Sequence, residues 1–114
     1  MAAQIPLNTF KTVTESLGTS NVTLYTAPPG VTTIVLMAQI TNITSVPETV
    51  TVWTVNSTTF STIELVKNFD VPSYDAVSVT VGKLVIPTGD QVIVQASANS
   101  SLKATFSILE TSNE

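Results

Sequence analysis

Cysteine, histidine and arginine are all missing from these 114 residues. Without cysteine there is no disulfide and no thiolate metal site. Without histidine the usual general base and the commonest transition-metal ligand are gone. Without arginine the chain lacks the planar fork preferred for phosphates and carboxylates. Charge is scarce as well: 11% of residues are charged, and the net charge is −4. A nucleic-acid-binding surface needs a basic stripe to neutralise phosphates. The four scattered lysines, Lys11, Lys67, Lys83 and Lys103, do not form one, so no nucleic-acid partner is expected.

Long apolar runs are also lacking. The longest is Ile34–Ala38, whereas a membrane helix needs about 20 apolar residues; no membrane partner is expected. The opening "MAAQIPLNTFK" has no basic start followed by an apolar stretch, so it does not read as a secretory signal. Ala, Leu, Glu and Lys never cluster, and no window reads as an amphipathic helix.

What is present favours strands. The apolar fraction is 43%, rich in Val and Ile, and the polar remainder is mostly Thr, Ser and Asn, residues of strands and turns. A chain of this length buries roughly two-thirds of the surface its unfolded form exposes, enough for one core. Residues 1–8, with Pro6, read as a short arm, and residues 9–114 as one domain.

Within it, "TTIVLMAQITNI" is the longest strand candidate. Simple alternation turns Ile34, Leu36, Ala38 and Ile40 to one side and Val35, Met37, Gln39 and Thr41 to the other. "TVTVWTV" sets Val50 and Val52 against Trp53 and Val55. "FSTIELVKNF" turns Ile63 and Leu65 inward, with Glu64 and Val66 outward. "DQVIVQASA" sets Val92, Val94, Ala96 and Ala98 against Gln91, Ile93, Gln95 and Ser97. The last strand turns Leu102, Ala104, Phe106 and Ile108 to the core. "AVSVTV" ends at Gly82, read as a break or bulge. About eight short strands between turn signals predict an all-β fold, a single antiparallel β-sandwich of Ig-like or jelly-roll-like type. The last two strands are expected to form a hairpin across Asn99–Ser101.

Two turns stand out. In "APPG", Pro29 fits the second position of a type II turn and Gly30 the third, where φ must be positive. "PTG" at Pro87–Gly89 has the same ingredients. The two may be overlaid as an internal repeat or read simply as strands that start after tight turns; the overlay lays inward Ile34 on outward Ile93, which weighs against the repeat.

No catalytic residue, cofactor or metal site is expected. The many hydroxyls lack a base and an oxyanion hole. Asp70, Asp75 and Asp90 sit in turn-like places without calcium-loop spacing, where Asp commonly bonds backbone instead. Trp53, Tyr25 and Tyr74 are candidates for stacking on a sugar. A further set of apolar residues falls on nominally outer faces: Tyr25, Val35, Met37, Trp53, Val66, Ile93 and Leu109. Together they are the candidate interface of a homo-oligomer or of a protein docked on a larger assembly.

"PLNTFKTVT", "LYTAPPGVTTIVLMAQITN" and "GKLVIPTGDQVIVQAS…LKATFSILE" resemble small virion structural proteins of tailed bacteriophages, in particular those of T4-like phages of marine cyanobacteria. The resemblance runs from Pro6 to Glu110. It implies a component of the virion assembled in the host cytoplasm, with no catalytic residues. The leading expectation is a head decoration or cement protein, trimeric, whose partners are the major capsid protein or other virion proteins. The alternatives are a low-copy tail, neck or baseplate component, and a glycan- or receptor-binding module.

Overall fold

A computed structural model describes residues 8–79 and 83–112. Among them are nine strands: β1 (Asn8–Ser16), β2 (Val22–Thr26), β3 (Val31–Asn42), β4 (Glu48–Val55), β5 (Thr62–Val71), β6 (Ala76–Ser78), β7 (Leu84–Ile86), β8 (Gln91–Ala96) and β9 (Leu102–Ser112). They form two antiparallel sheets. The first runs β1-β9-β3-β6, with β7 also on β3; the second runs β2-β8-β4-β5. The fold is an all-β sandwich. The expected arm at 1–7 and the break at Gly82 lie outside the described residues, while Asn8 already belongs to β1, opposite Thr111.

The core is where the two inner faces meet. From the first sheet come Val35, Ala38, Ile40, Ile86, Leu102, Ala104, Phe106 and Ile108; from the second come Leu24, Val50, Val52, Val92, Val94 and Ala96. β4, β8 and β9 follow the alternation read from sequence. The burial of such side chains is the main stabilising term, each contributing about 1.5–3 kcal/mol.

The chain crosses between the sheets at most connections, and β4–β5 is the hairpin of the second sheet. The expected β8–β9 hairpin is not formed. β8 pairs with β2 and β4, whereas β9 pairs with β1 and β3. The segment at Asn99–Ser101 is an arch from one sheet to the other. Two strands that each carry a continuous apolar face bury more by facing each other than by lying side by side.

Both Pro-Gly turns are arches too. Val31 N–H donates to Pro28 O at 3.2 Å and Asp90 N–H to Pro87 O at 3.1 Å. Gly30 and Gly89 hold the third position at φ 74° and 87°, the conformation that a type II turn requires. The turns bond each other: Ala27 N–H donates to Asp90 O, Gly89 N–H to Ala27 O, and Thr88 Oγ1 to Val31 O. One arch carries β2 to β3, and the other carries β7 back to β8 in the reverse direction. Ile34 and Ile93 both face outward, so the objection to overlaying them disappears.

At the opposite end, buried Asn42 ties two loops together. Its Nδ2 donates to Val46 O at 2.8 Å and Val71 O at 3.1 Å, and its Oδ1 accepts from Thr44 N–H at 2.8 Å. A third turn closes Pro72–Asp75, with Asp75 N–H donating to Pro72 O. Here the third position, at φ 54°, is Tyr74.

Candidate interaction surface

Bulges decide which apolar side chains reach the surface. β3 and β9 pair in register until Val35↔Ile108, and the next pair is Met37↔Ser107. Leu36 is the extra residue. The bulge turns Leu36 and Met37 both outward and resets the phase of the strand. Thr33 and Val35 are therefore buried before it, and Ala38 and Ile40 after it. Val35 is thus a core residue, and Leu36, expected inside, is exposed.

A second bulge, between Thr23 and Tyr25 on β2, sets Tyr25 opposite inward-facing Val92. Tyr25 packs against the core instead of facing solvent. Irregular pairing in β5 likewise sets Val66 opposite buried Val52; Leu65 and Val66 both pack on the core, and Ile63 is exposed. Of the seven candidate interface residues, Tyr25, Val35 and Val66 therefore point inward. Met37 and Leu109 lie on the outer face of the first sheet. Trp53 and Ile93 are half-buried neighbours on the outer face of the second.

The outer face of the first sheet carries a feature that simple alternation does not show. Phe10 sits opposite Leu109, Leu109 opposite Ile34, and Ile34 opposite Val85. One cross-strand row over β1, β9, β3 and β7 is entirely apolar. Phe10 is 73% exposed and Val85 57%. Leu36 and Met37 extend the row by one step. A shallow depression of about 240 Å³ lies between Phe10, Thr12, Leu36 and Ser107. The rest of this face is Thr12, Thr14, Lys103, Thr105, Gln39 and Thr41, all polar. Phe10, Ile34, Leu36 and Val85 were missed as a surface because two are far apart in sequence and two belong to a strand whose phase changes at the bulge.

One titratable cluster joins the sheets. Tyr25 Oη donates to Glu110 Oε2 at 2.5 Å and lies 2.7 Å from Thr33 Oγ1. Lys11 Nζ sits 2.9 Å from Glu110 Oε1. Burial acts to raise the Glu110 pKa, but the Tyr25 and Lys11 hydrogen bonds and the Lys11 charge outweigh it and hold the carboxyl below its ordinary value. Tyr25 is pushed up to about 12, first by burial and then by the adjacent carboxylate. Both groups are thus held in their resting charge states. The arrangement is suited to fastening β1, β2, β3 and β9, and neither group is poised to move a proton near neutral pH.

The acidic loop residues organise turns. Asp75 Oδ1 accepts from Ala76 N–H, and Asp90 Oδ1 from Ser57 N–H; Asp70 lies in β5 opposite Thr49. The three aromatics considered for sugar stacking are not brought together. Tyr25 is internal, Trp53 lies on the second sheet, and Tyr74 sits in a loop bonded to Thr44 beyond the other end of β4.

No protein-family model matches the chain, and no curated protein matches it in sequence. In three dimensions it is similar to a chain in the structure of Bacillus endospore appendages, a novel family of disulfide-linked pili, with a TM-score of 0.55. The match covers 94% of this chain and 88% of that one at 9% identity. At that identity the likeness is one of fold: two chains with almost no residues in common share the same sandwich.

Proposed function

We propose that this chain is a non-catalytic structural subunit of a bacteriophage particle, a head decoration protein that binds the assembled shell. The observation that carries the reading is the apolar row Phe10–Leu109–Ile34–Val85 on an otherwise polar, open sheet face. A row this exposed costs solubility unless something covers it. The major capsid protein or a neighbouring virion protein is the proposed cover. A protein that binds only the assembled shell stabilises that shell by mass action. The resemblance in sequence to small virion proteins supplies the class of assembly.

Quantitative mass spectrometry of purified particles tests the reading. The expected result is a copy number comparable to that of the major shell protein. A handful of copies per particle would move the protein to the tail, neck or baseplate, and absence from particles would overturn the proposal.

The fold likeness to a pilus subunit favours a second reading, a subunit that polymerises into an appendage. With no cysteine in this chain, such a polymer would hold together without disulfides. Electron microscopy of the concentrated protein separates the two: filaments support the second reading, and their absence removes it.

A further inference from the structure

The sandwich has four kinds of edge, and they are not alike. β2 is five residues long and bulged. β5 is interrupted by irregular pairing and by Asn68 at φ 49°, and it carries Lys67 and Asp70. β6 and β7 are three residues each. Short strands, bulges and charges are the usual means of blocking edge-to-edge pairing. β1 has little such defence. It spans nine residues, pairs with β9 without a register shift, contains no proline, and has no second neighbour among the described strands.

Its free edge has a definite polarity. Leu17 N–H donates to Leu102 O, continuing the β1–β9 ladder. Alternation along an antiparallel strand then directs the backbone groups of Phe10, Thr12, Thr14 and Ser16 away from β9, toward the open side.

We propose that this edge pairs with the same edge of a second copy, as a two-fold antiparallel β1–β1 contact centred on Val13. Charge selects both the partner and the register. Lys11 and Glu15 lie on the same face of β1, opposite Ile108 and Ala104. Centring on Val13 puts Lys11 of each copy opposite Glu15 of the other. Centring on Lys11 or on Glu15 stacks like charges, and centring on Thr12 leaves both charges opposite uncharged residues. In the chosen register Phe10 and Thr12 exchange backbone bonds with Ser16 and Thr14 of the second copy. The two first sheets become one continuous sheet, and their apolar rows lie on the same outer face. Lys11 is half-exposed and already bonded to Glu110, so it meets the second Glu15 with an ammonium that still has open sides.

The pairing is independent of which particle the protein serves, so its test does not rely on the particle. Sedimentation velocity of the full chain is expected to show a concentration-dependent dimer. Glu15→Lys sets lysine against lysine and is expected to weaken the dimer about tenfold; adding Lys11→Glu restores it. Thr12→Pro removes an N–H that the fold does not use and is also expected to give monomer. Circular dichroism and a thermal melt check that each variant is folded. A monomer at all concentrations, or an oligomer indifferent to both Glu15→Lys and Thr12→Pro, overturns the proposal. A monomer that still loads onto particles would leave the decoration reading standing while removing this one.

Discussion

Tyr25 and Glu110 meet across the sandwich, phenol to carboxylate at 2.5 Å, and so join β2 of one sheet to β9 of the other. The contact exists because a bulge turns Tyr25 inward and because β9 keeps Glu110 on its inner face, the last inward position of an otherwise apolar series. A carboxylate at that depth needs its donors, and Tyr25 and Lys11 supply them.

The pair makes stability depend on pH at both extremes. The Glu110 pKa is lower folded than unfolded. Its contribution is therefore present above the unfolded carboxyl value and is lost as pH falls through the folded one. The Tyr25 pKa is higher folded, about 12 against an ordinary 10.0. Its contribution is complete below pH 10 and is lost as pH rises through about 12. Urea midpoints measured across pH are expected to fall at both ends. In Tyr25→Phe the alkaline fall should shrink, with a loss of about 1–2 kcal/mol at neutral pH from the missing donor.

Deleting Leu36 is expected to be tolerated better than deleting either neighbour. Without it, Val35↔Ile108 and Met37↔Ser107 become consecutive pairs, and Ile34, Val35, Met37 and Ala38 alternate regularly between outside and inside. Deleting Val35 or Ala38 removes a buried side chain and shifts the phase. Thermal melts of the three deletions decide this: the Leu36 deletion should retain a cooperative transition and the other two should lose it.

That deletion also shows what was legible in the sequence. Where a strand is regular, as in β8 and β9, alternation identified every buried residue from Val92 to Ala96 and from Leu102 to Ile108. The two Pro-Gly turns were legible because only certain residues accept their dihedral angles. Bulges have no such signature. "TIVLMA" is apolar at every other position counted from either end, so Val35 and Leu36 could not be assigned to the right faces. Pairing was equally hidden: nothing in "ASANSSL" distinguishes a hairpin from an arch, because that choice depends on which distant strand each partner meets. The row Phe10–Leu109–Ile34–Val85 needs both register and pairing, which is why sequence alone supplied Leu109 but not its neighbours.

Asn42→Ala is expected to cost more than an ordinary surface change. Asn42 is buried and serves Val46 O, Val71 O, Thr44 N–H and Thr44 Oγ1. Alanine leaves these groups short of partners where water has little access, at a cost of about 2–3 kcal/mol. Hydrogen exchange should locate the loss: the Thr44 and Tyr74 amides, the latter bonded to Thr44 O, are expected to lose protection before the β9 amides do.

Tyr74→Gly is expected to stabilise the fold. In the Pro-Gly turns glycine holds the positive-φ position, and in the Pro72–Asp75 turn Tyr74 holds it at φ 54°. A side chain there costs about 1–2 kcal/mol, partly offset by the greater freedom glycine brings to the unfolded chain. The ring is 73% exposed, so little packing is lost. A net gain of about 0.5–1 kcal/mol in chemical denaturation would show that Tyr74 is retained against stability, which directs attention to the ring as a contact. A destabilised Tyr74→Gly protein would show instead that the ring packs usefully where it is.

Phe10→Asp and Val85→Asp separate folding from docking. Both side chains sit at the ends of the apolar row and are largely solvent-exposed. Neither is in the core, so each substitution should change stability by less than about 1 kcal/mol. If the row is covered in the assembly, an aspartate there buries a charge opposite apolar surface, which is among the costliest changes an interface can suffer. Each variant should therefore melt like the parent and yet fail to co-purify with particles, and the pair together should fail more completely than either alone. Thr105→Asp and Gln39→Asp, on the same face but beyond the row, are the matched controls and should load normally. Equal loading of all four variants would show that this face stays in solvent, and the docking surface would then have to be sought on the second sheet, around Trp53 and Ile93.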